Sequence, residues 1–218
     1  MTALFDGSAS RRESQSRNGR VVFLGDSITE LGGKPDGNVT LVSKALSEKH
    51  GANAPEVINA GISGNKITDL QKRLERDVLS KNPNVVVIYI GINDVWHFAL
   101  PGSSGTAKRD FESGLHDVVV RCRAAGARVI LCTPSVIGEM AHGENPQDEL
   151  LDEYSNISRE VAIDTKSQLC DLNRSFIDYL RTHNQDDRSE GILTVDGVHL
   201  TKEGNQFIAG EMLKALGY

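Results

Sequence analysis

Three cysteines in 218 residues, Cys122, Cys132 and Cys170, are too few and too widely spaced for a disulfide framework or a zinc site. Their odd number leaves at least one thiol free, and they read as buried, reduced core residues. No run of about 18 apolar residues exists to span a bilayer, and residues 1–19 lack the apolar stretch of a secretion signal. A cytoplasmic location is therefore expected. Basic excess is also missing. The 24 Lys+Arg are spread among 30 Asp+Glu, for a net charge of −6, and no basic stripe is present to neutralise phosphates, which argues against a nucleic-acid partner. Neither a Walker pattern nor G-x-G-x-x-G opens a helix, so no phosphate cradle is indicated. His97 and His142, even taken with Asp94, fit no metal-ligand spacing, and no metal is expected. His50, His116 and His183 fall in or near helices and read as surface residues.

What remains is an alternation of short apolar runs with longer segments of helical period. Strands are expected at 20–25, 56–60, 84–90, 128–132 and 168–172, mostly β-branched and apolar on both faces, as parallel strands covered on two sides require. Phe111, Leu115, Val118, Val119 and Cys122 form one helical stripe. Leu150, Leu151, Tyr154, Ile157 and Val161 form a second, and Ile67, Leu70, Leu74 and Val78 a third. Thr201 is placed to cap a last helix carrying Phe207, Ile208, Met212 and Leu216. The pattern predicts an α/β fold, a three-layer α/β/α sandwich on a five-stranded parallel sheet in the order 2-1-3-4-5. Residues 20–218 are expected to form one domain behind a short polar tail, residues 1–19, to which no function is assigned. Residues 32–37 and 133–147 read as mobile loops over the sheet edge.

Open α/β sheets bind ligands at the carboxyl ends of their strands. The first three strands end here in Gly25-Asp26-Ser27, in Asn59-Ala60-Gly61-Ile62-Ser63-Gly64-Asn65 and in Gly91-Ile92-Asn93-Asp94. Small residues let backbone N–H groups approach a ligand, and an asparagine amide adds a neutral donor. Near the other end of the chain, Asp196-Gly197-Val198-His199 supplies an acid and an imidazole just before a helix. Each feature alone has an ordinary reading: Ser27 as a turn residue or cap, Asp196-Gly197 as a turn, Gly61 and Gly64 as accommodation of the backbone, Asn93-Asp94 as the start of a loop. Together they are the parts of a serine-based acyl-transfer centre.

In this order the four blocks resemble those of the SGNH hydrolases, the GDSL esterases and lipases, over about residues 20–217. Isoleucine stands after Ser27 where the family has leucine. Cys132-Thr133-Pro134 and the ending Asp196 to Asn205 look most like the branch of isoamyl acetate-hydrolysing esterases and its bacterial relatives. The resemblance implies Ser27 as nucleophile, His199 as general base and Asp196 as the residue orienting it. It also implies an oxyanion hole from the Ser27 and Gly64 N–H groups and the Asn93 side chain, on a small-molecule ester substrate and with no cofactor. A lysophospholipase, a thioesterase and a carbohydrate acetylesterase use the same triad, so the alternatives within the family stay open. A flavodoxin-like binding module without catalysis has no need of the Asp196 and His199 pair. Trp96 is placed either to receive substrate or to pack its loop onto the sheet. The loops at 94–105 and 133–147 carry Gly102, Ser103, Ser104, Gly105, Glu139 and Glu144 and so offer no continuous apolar groove, which favours short acyl chains.

Overall fold

The β-branched runs become five parallel strands: β1 (Arg20–Gly25), β2 (Glu56–Gly61), β3 (Val85–Tyr89), β4 (Arg128–Cys132) and β5 (Gln168–Cys170). The structure, a computed structural model, describes residues 19–218, so all of the expected tail except Gly19 lies outside the described residues. The strand order is β2-β1-β3-β4-β5, as the alternation predicts. β1 sits at the centre of the N-terminal half, with Val22 opposite Ile58 on one side and Val86 on the other. β5 is shorter than expected because Asp171 turns the chain into a helix, its carboxylate accepting from Arg174 N.

Helices cover both faces of the sheet. They are α1 (Ser27–Gly32), α2 (Asn38–His50), α3 (Ile67–Asp77), α4 (Ile92–Trp96), α5 (Lys108–Ala124), α6 (Asp148–Asp164), α7 (Leu172–His183) and α8 (Lys202–Leu216). α2 packs on α8, α3 on α5, and α5 on α6. The expected stripe from Phe111 to Cys122 is wholly buried, and Thr201 caps α8 through its side chain. All three cysteines are buried and free. Two expectations fail locally. Residues 94–96, expected to begin the loop over 94–105, lie in the short helix α4, because Gly91, at φ +124°, turns the chain directly out of β3. Residues 133–137 are buried, so the connection after β4 is packed into the body rather than lying free over the edge.

Candidate active site

β1 delivers Ser27 through a tight passage. A Cβ on Gly25 would stand 2.2 Å from Thr29 Oγ1 and 2.4 Å from the Tyr89 carbonyl, so only glycine permits this exit from the sheet. Asp26 then caps α1, its Oδ1 accepting from Ile28 N at 3.0 Å. Burial pushes the Asp26 carboxyl up to about 7, the Ile28 bond offsetting only part of that rise. Ser27 follows, half-buried, with its Oγ 3.0 Å from His199 Nε2.

His199 arrives on a tight excursion between α7 and α8. Thr194 and Leu200 form an antiparallel bridge, and Val195 N donates to the His199 carbonyl at 2.7 Å. At the tip, Asp196 Oδ2 lies 2.7 Å from His199 Nδ1, while its Oδ1 accepts from Val198 N at 3.0 Å and from His199 N at 2.7 Å. Burial acts to raise the Asp196 carboxyl, but the bonds from His199 and Val198 outweigh it and hold the group below the usual carboxylate range. Asp196 is thus ionised at neutral pH and accepts from Nδ1–H, which leaves Nε2 free to accept from the Ser27 hydroxyl. Beside this relay, the Trp96 and His199 ring centroids are 6.2 Å apart in an edge arrangement, and Trp96 also packs on the core.

The candidate oxyanion donors converge on the same edge. Asn93 is buried, and its Nδ2 donates one hydrogen to the Asn65 carbonyl at 3.0 Å, leaving the amide's other N–H for a ligand. Gly64 is exposed at φ +76°, with nothing within 4 Å of where a Cβ would lie. Neighbouring Asp94 is buried and accepts from Ile67 N at 3.1 Å, tying α4 to the start of α3. Burial raises its carboxyl to about 6 against the opposing bond from Thr106. His142 lies in the expected loop but pairs with Asp152 at 3.1 Å, away from the relay.

Sequence reasoning passed over three residues that hold this edge together. Glu139, read as an open loop carboxylate, is completely buried. Its Oε2 accepts from Ile192 N at 2.7 Å, and its Oε1 from Leu193 N and Thr194 N, each at 2.6 Å. It therefore fastens the base of the excursion that carries Asp196 and His199. Arg73 and Glu30, on α3 and α1, support the turn around Gly64 from its two sides. The signals of Arg73 in the sequence are its place on an apolar helix face, between Leu70 and Leu74, and Asp77 four residues on, to which its Nη1 donates at 3.2 Å.

A cavity of about 330 Å³ lies between the 136–148 segment and α7, lined by Val136, Met140, Ile177 and Leu180 among others. None of Ser27, Asn93 and His199 contributes to it, and it holds no activated nucleophile. The cavity is therefore separate from the candidate site at Ser27.

Known proteins resemble this chain over most of its length. Residues 23–207 match the GDSL-like Lipase/Acylhydrolase family. An acetylxylan esterase of Geobacillus stearothermophilus is 30% identical over 91% of this chain and 94% of its own. A human homolog of isoamyl acetate-hydrolyzing esterase 1 is 26% identical over 87% of this chain and 77% of its own. Among solved structures, the acetyl xylan esterase AlAXEase is 44% identical and superposes with a TM-score of 0.87, covering 90% of this chain and 99% of that one.

Proposed function

From the premise that the chain belongs to the GDSL-like lipase/acylhydrolase family and is a serine ester hydrolase, we propose that Ser27, His199 and Asp196 cleave acetyl and other short acyl esters of a carbohydrate alcohol. The observation that carries the residue roles is the relay itself, with Asp196 Oδ2 at 2.7 Å from Nδ1 and Ser27 Oγ at 3.0 Å from Nε2. A serine hydroxyl is a poor nucleophile at neutral pH, and an imidazole nitrogen at hydrogen-bond distance is the base that activates it.

In the first half-reaction, Ser27 Oγ forms a bond to the ester carbonyl carbon as its proton passes to His199 Nε2. Negative charge collects on the former carbonyl oxygen and is received by the Ser27 and Gly64 N–H groups and the free N–H of Asn93. The carbon–oxygen bond to the alcohol then breaks, and His199 returns the proton to the departing alkoxide. Water deacylates Ser27 by the same path, releasing the acid. Asp196 stays ionised throughout, fixing the tautomer and stabilising the transient imidazolium.

The substrate class is supported by the two acetylxylan esterases, whose likeness extends over nine-tenths or more of this chain. The open site agrees with a bulky alcohol: Ile62 and Val195, neighbours in sequence of the Gly64 turn and of Asp196, are 40% and 57% exposed, so the edge is not roofed over. Labelling by a fluorophosphonate probe tests the assignment. Wild-type protein is expected to be labelled and inhibited, whereas Ser27→Ala and His199→Ala lower kcat by roughly 10⁴ to 10⁶ and abolish labelling while the fold survives. Retention of more than about a tenth of wild-type activity by Ser27→Ala would remove it as nucleophile.

A further inference from the structure

The turn that carries Gly64 has almost no support of its own. It is closed by one backbone bond, from Asn65 N to the Ile62 carbonyl at 3.2 Å, and held to β1 at its start by Ile62 N donating to the Gly25 carbonyl at 3.2 Å, while nothing lies within 4 Å of where a Cβ on Gly64 would stand. A glycine in such a place samples many conformations, and an oxyanion donor is useful only when it already points at the charge. Two charged side chains supply the missing constraint.

On one side stands Glu30, three residues beyond Ser27. Its Oε2 accepts from Ser63 N at 2.6 Å and from Ser63 Oγ at 2.5 Å. These bonds hold the Glu30 carboxyl below the usual range. The reach is possible because β2 ends in glycine: a Cβ on Gly61 would stand 2.1 Å from Glu30 N, so any other residue would push α1 away. On the other side, buried Arg73 donates from Nε to Asn65 Oδ1 at 2.7 Å, from Nη1 to the Ala60 carbonyl at 2.8 Å and from Nη2 to the Gly25 carbonyl at 2.8 Å. One guanidinium thus ties together the ends of β1 and β2 and the far end of the turn. Asn65 passes the constraint on, since its carbonyl holds the Asn93 amide.

We propose that Glu30 and Arg73 are positioning residues of the oxyanion hole, Glu30 fixing Ser63 by its N–H and hydroxyl and so the start of the peptide that carries the Gly64 N–H, and Arg73 fixing Asn65 and, through its carbonyl, the Asn93 amide. The proposal rests on the reading of Gly64 and Asn93 as oxyanion donors. Neither charged group touches the substrate. Their effect is felt when the oxyanion forms, so kcat changes and KM does not.

The test uses the full chain and p-nitrophenyl acetate. Glu30 is exposed, so Glu30→Ala is expected to fold with an unchanged melting temperature while kcat falls about tenfold and KM stays within about twofold. Glu30→Gln recovers part of the loss, because its amide oxygen still accepts from Ser63. Arg73→Lys also lowers kcat about tenfold, and combined with Asn93→Ala it costs well short of the product of the single losses, since Arg73 acts through that amide. If Arg73→Lys does not fold, the Glu30 pair decides alone. Unchanged kcat in Glu30→Ala, or a change confined to KM, while Asn93→Ala loses about 10² to 10³, overturns the bracing role and leaves the oxyanion reading standing. Unchanged kcat in Asn93→Ala removes the oxyanion reading itself, and the bracing role with it.

Discussion

Replacing Glu139 by alanine tests how firmly the excursion bearing Asp196 and His199 is fastened. The carboxylate is completely buried and receives three backbone N–H groups at 2.6 to 2.7 Å. An orphaned buried donor costs roughly 1–3 kcal/mol, and a water entering the vacated space satisfies one of the three, so the loss comes to about 4 kcal/mol. At about 2–4 °C per kcal/mol for a protein of this size, Tm should fall by about 8–16 °C. Glu139→Gln should lie between. Its carbonyl oxygen can serve Leu193 and Thr194, but its NH₂ then faces the Ile192 N–H and cannot accept from it. Urea unfolding followed by circular dichroism measures the differences, with esterase activity read in parallel because the same loop carries the proposed base. A loss below about 1 kcal/mol in Glu139→Ala, or equal damage from Gln and Ala, would show that the carboxylate is not what holds the segment.

Asp26 makes stability depend on pH in an unusual direction. With its folded carboxyl at about 7 against an ordinary 3.8, the folded protein keeps a proton that the unfolded chain has released between those values. Its contribution is therefore fully present below about pH 4 and is lost as pH rises towards 7, and Asp94, at about 6, adds to the same slope. Asn preserves the acceptor for Ile28 N, so Asp26→Asn should raise Tm near pH 8 by several degrees and hardly change it near pH 4. Thermal scans giving the same difference at both pH values would exclude a neutral buried acid. For substrate size, kcat/KM over p-nitrophenyl esters of about two to sixteen carbons should be highest for acetyl and butyryl, because no apolar groove recovers the roughly 0.8 kcal/mol available per methylene. A steady rise to the longest chains would identify a lipase or lysophospholipase instead.

The sheet order was legible because it rests on patterns local to a few residues, a β-branched run, a glycine exit, a capped helix, whereas the pairing of Ser27 with His199 came from the resemblance of the four blocks to the SGNH hydrolases. The same resemblance implied Gly64 and Asn93 as oxyanion donors, and the structure links them through Asn65, whose carbonyl accepts from the Asn93 amide. Glu139 was misread for a definite reason. A carboxylate in a segment with no helical or strand period looks solvated, and only the return of residues 192–194 from far along the chain buries it. Arg73 was hidden in the opposite way, as one charge on an amphipathic helix, because two of its partners are the backbone carbonyls of Ala60 and Gly25, which leave no side-chain signature. The extent of β5 was missed because a single side-chain cap at Asp171 ended the strand early.

The distance along the chain between Ser27 and His199, 172 residues, has a meaning for biosynthesis. At about 5–20 residues per second, roughly 10 to 30 s separate the emergence of the serine from that of the imidazole. Throughout that interval the nascent chain carries the proposed nucleophile without the proposed base. On the proposed roles, Ser27 becomes strongly reactive only once the excursion bearing His199 has docked beside β1, so activity waits on this late long-range contact.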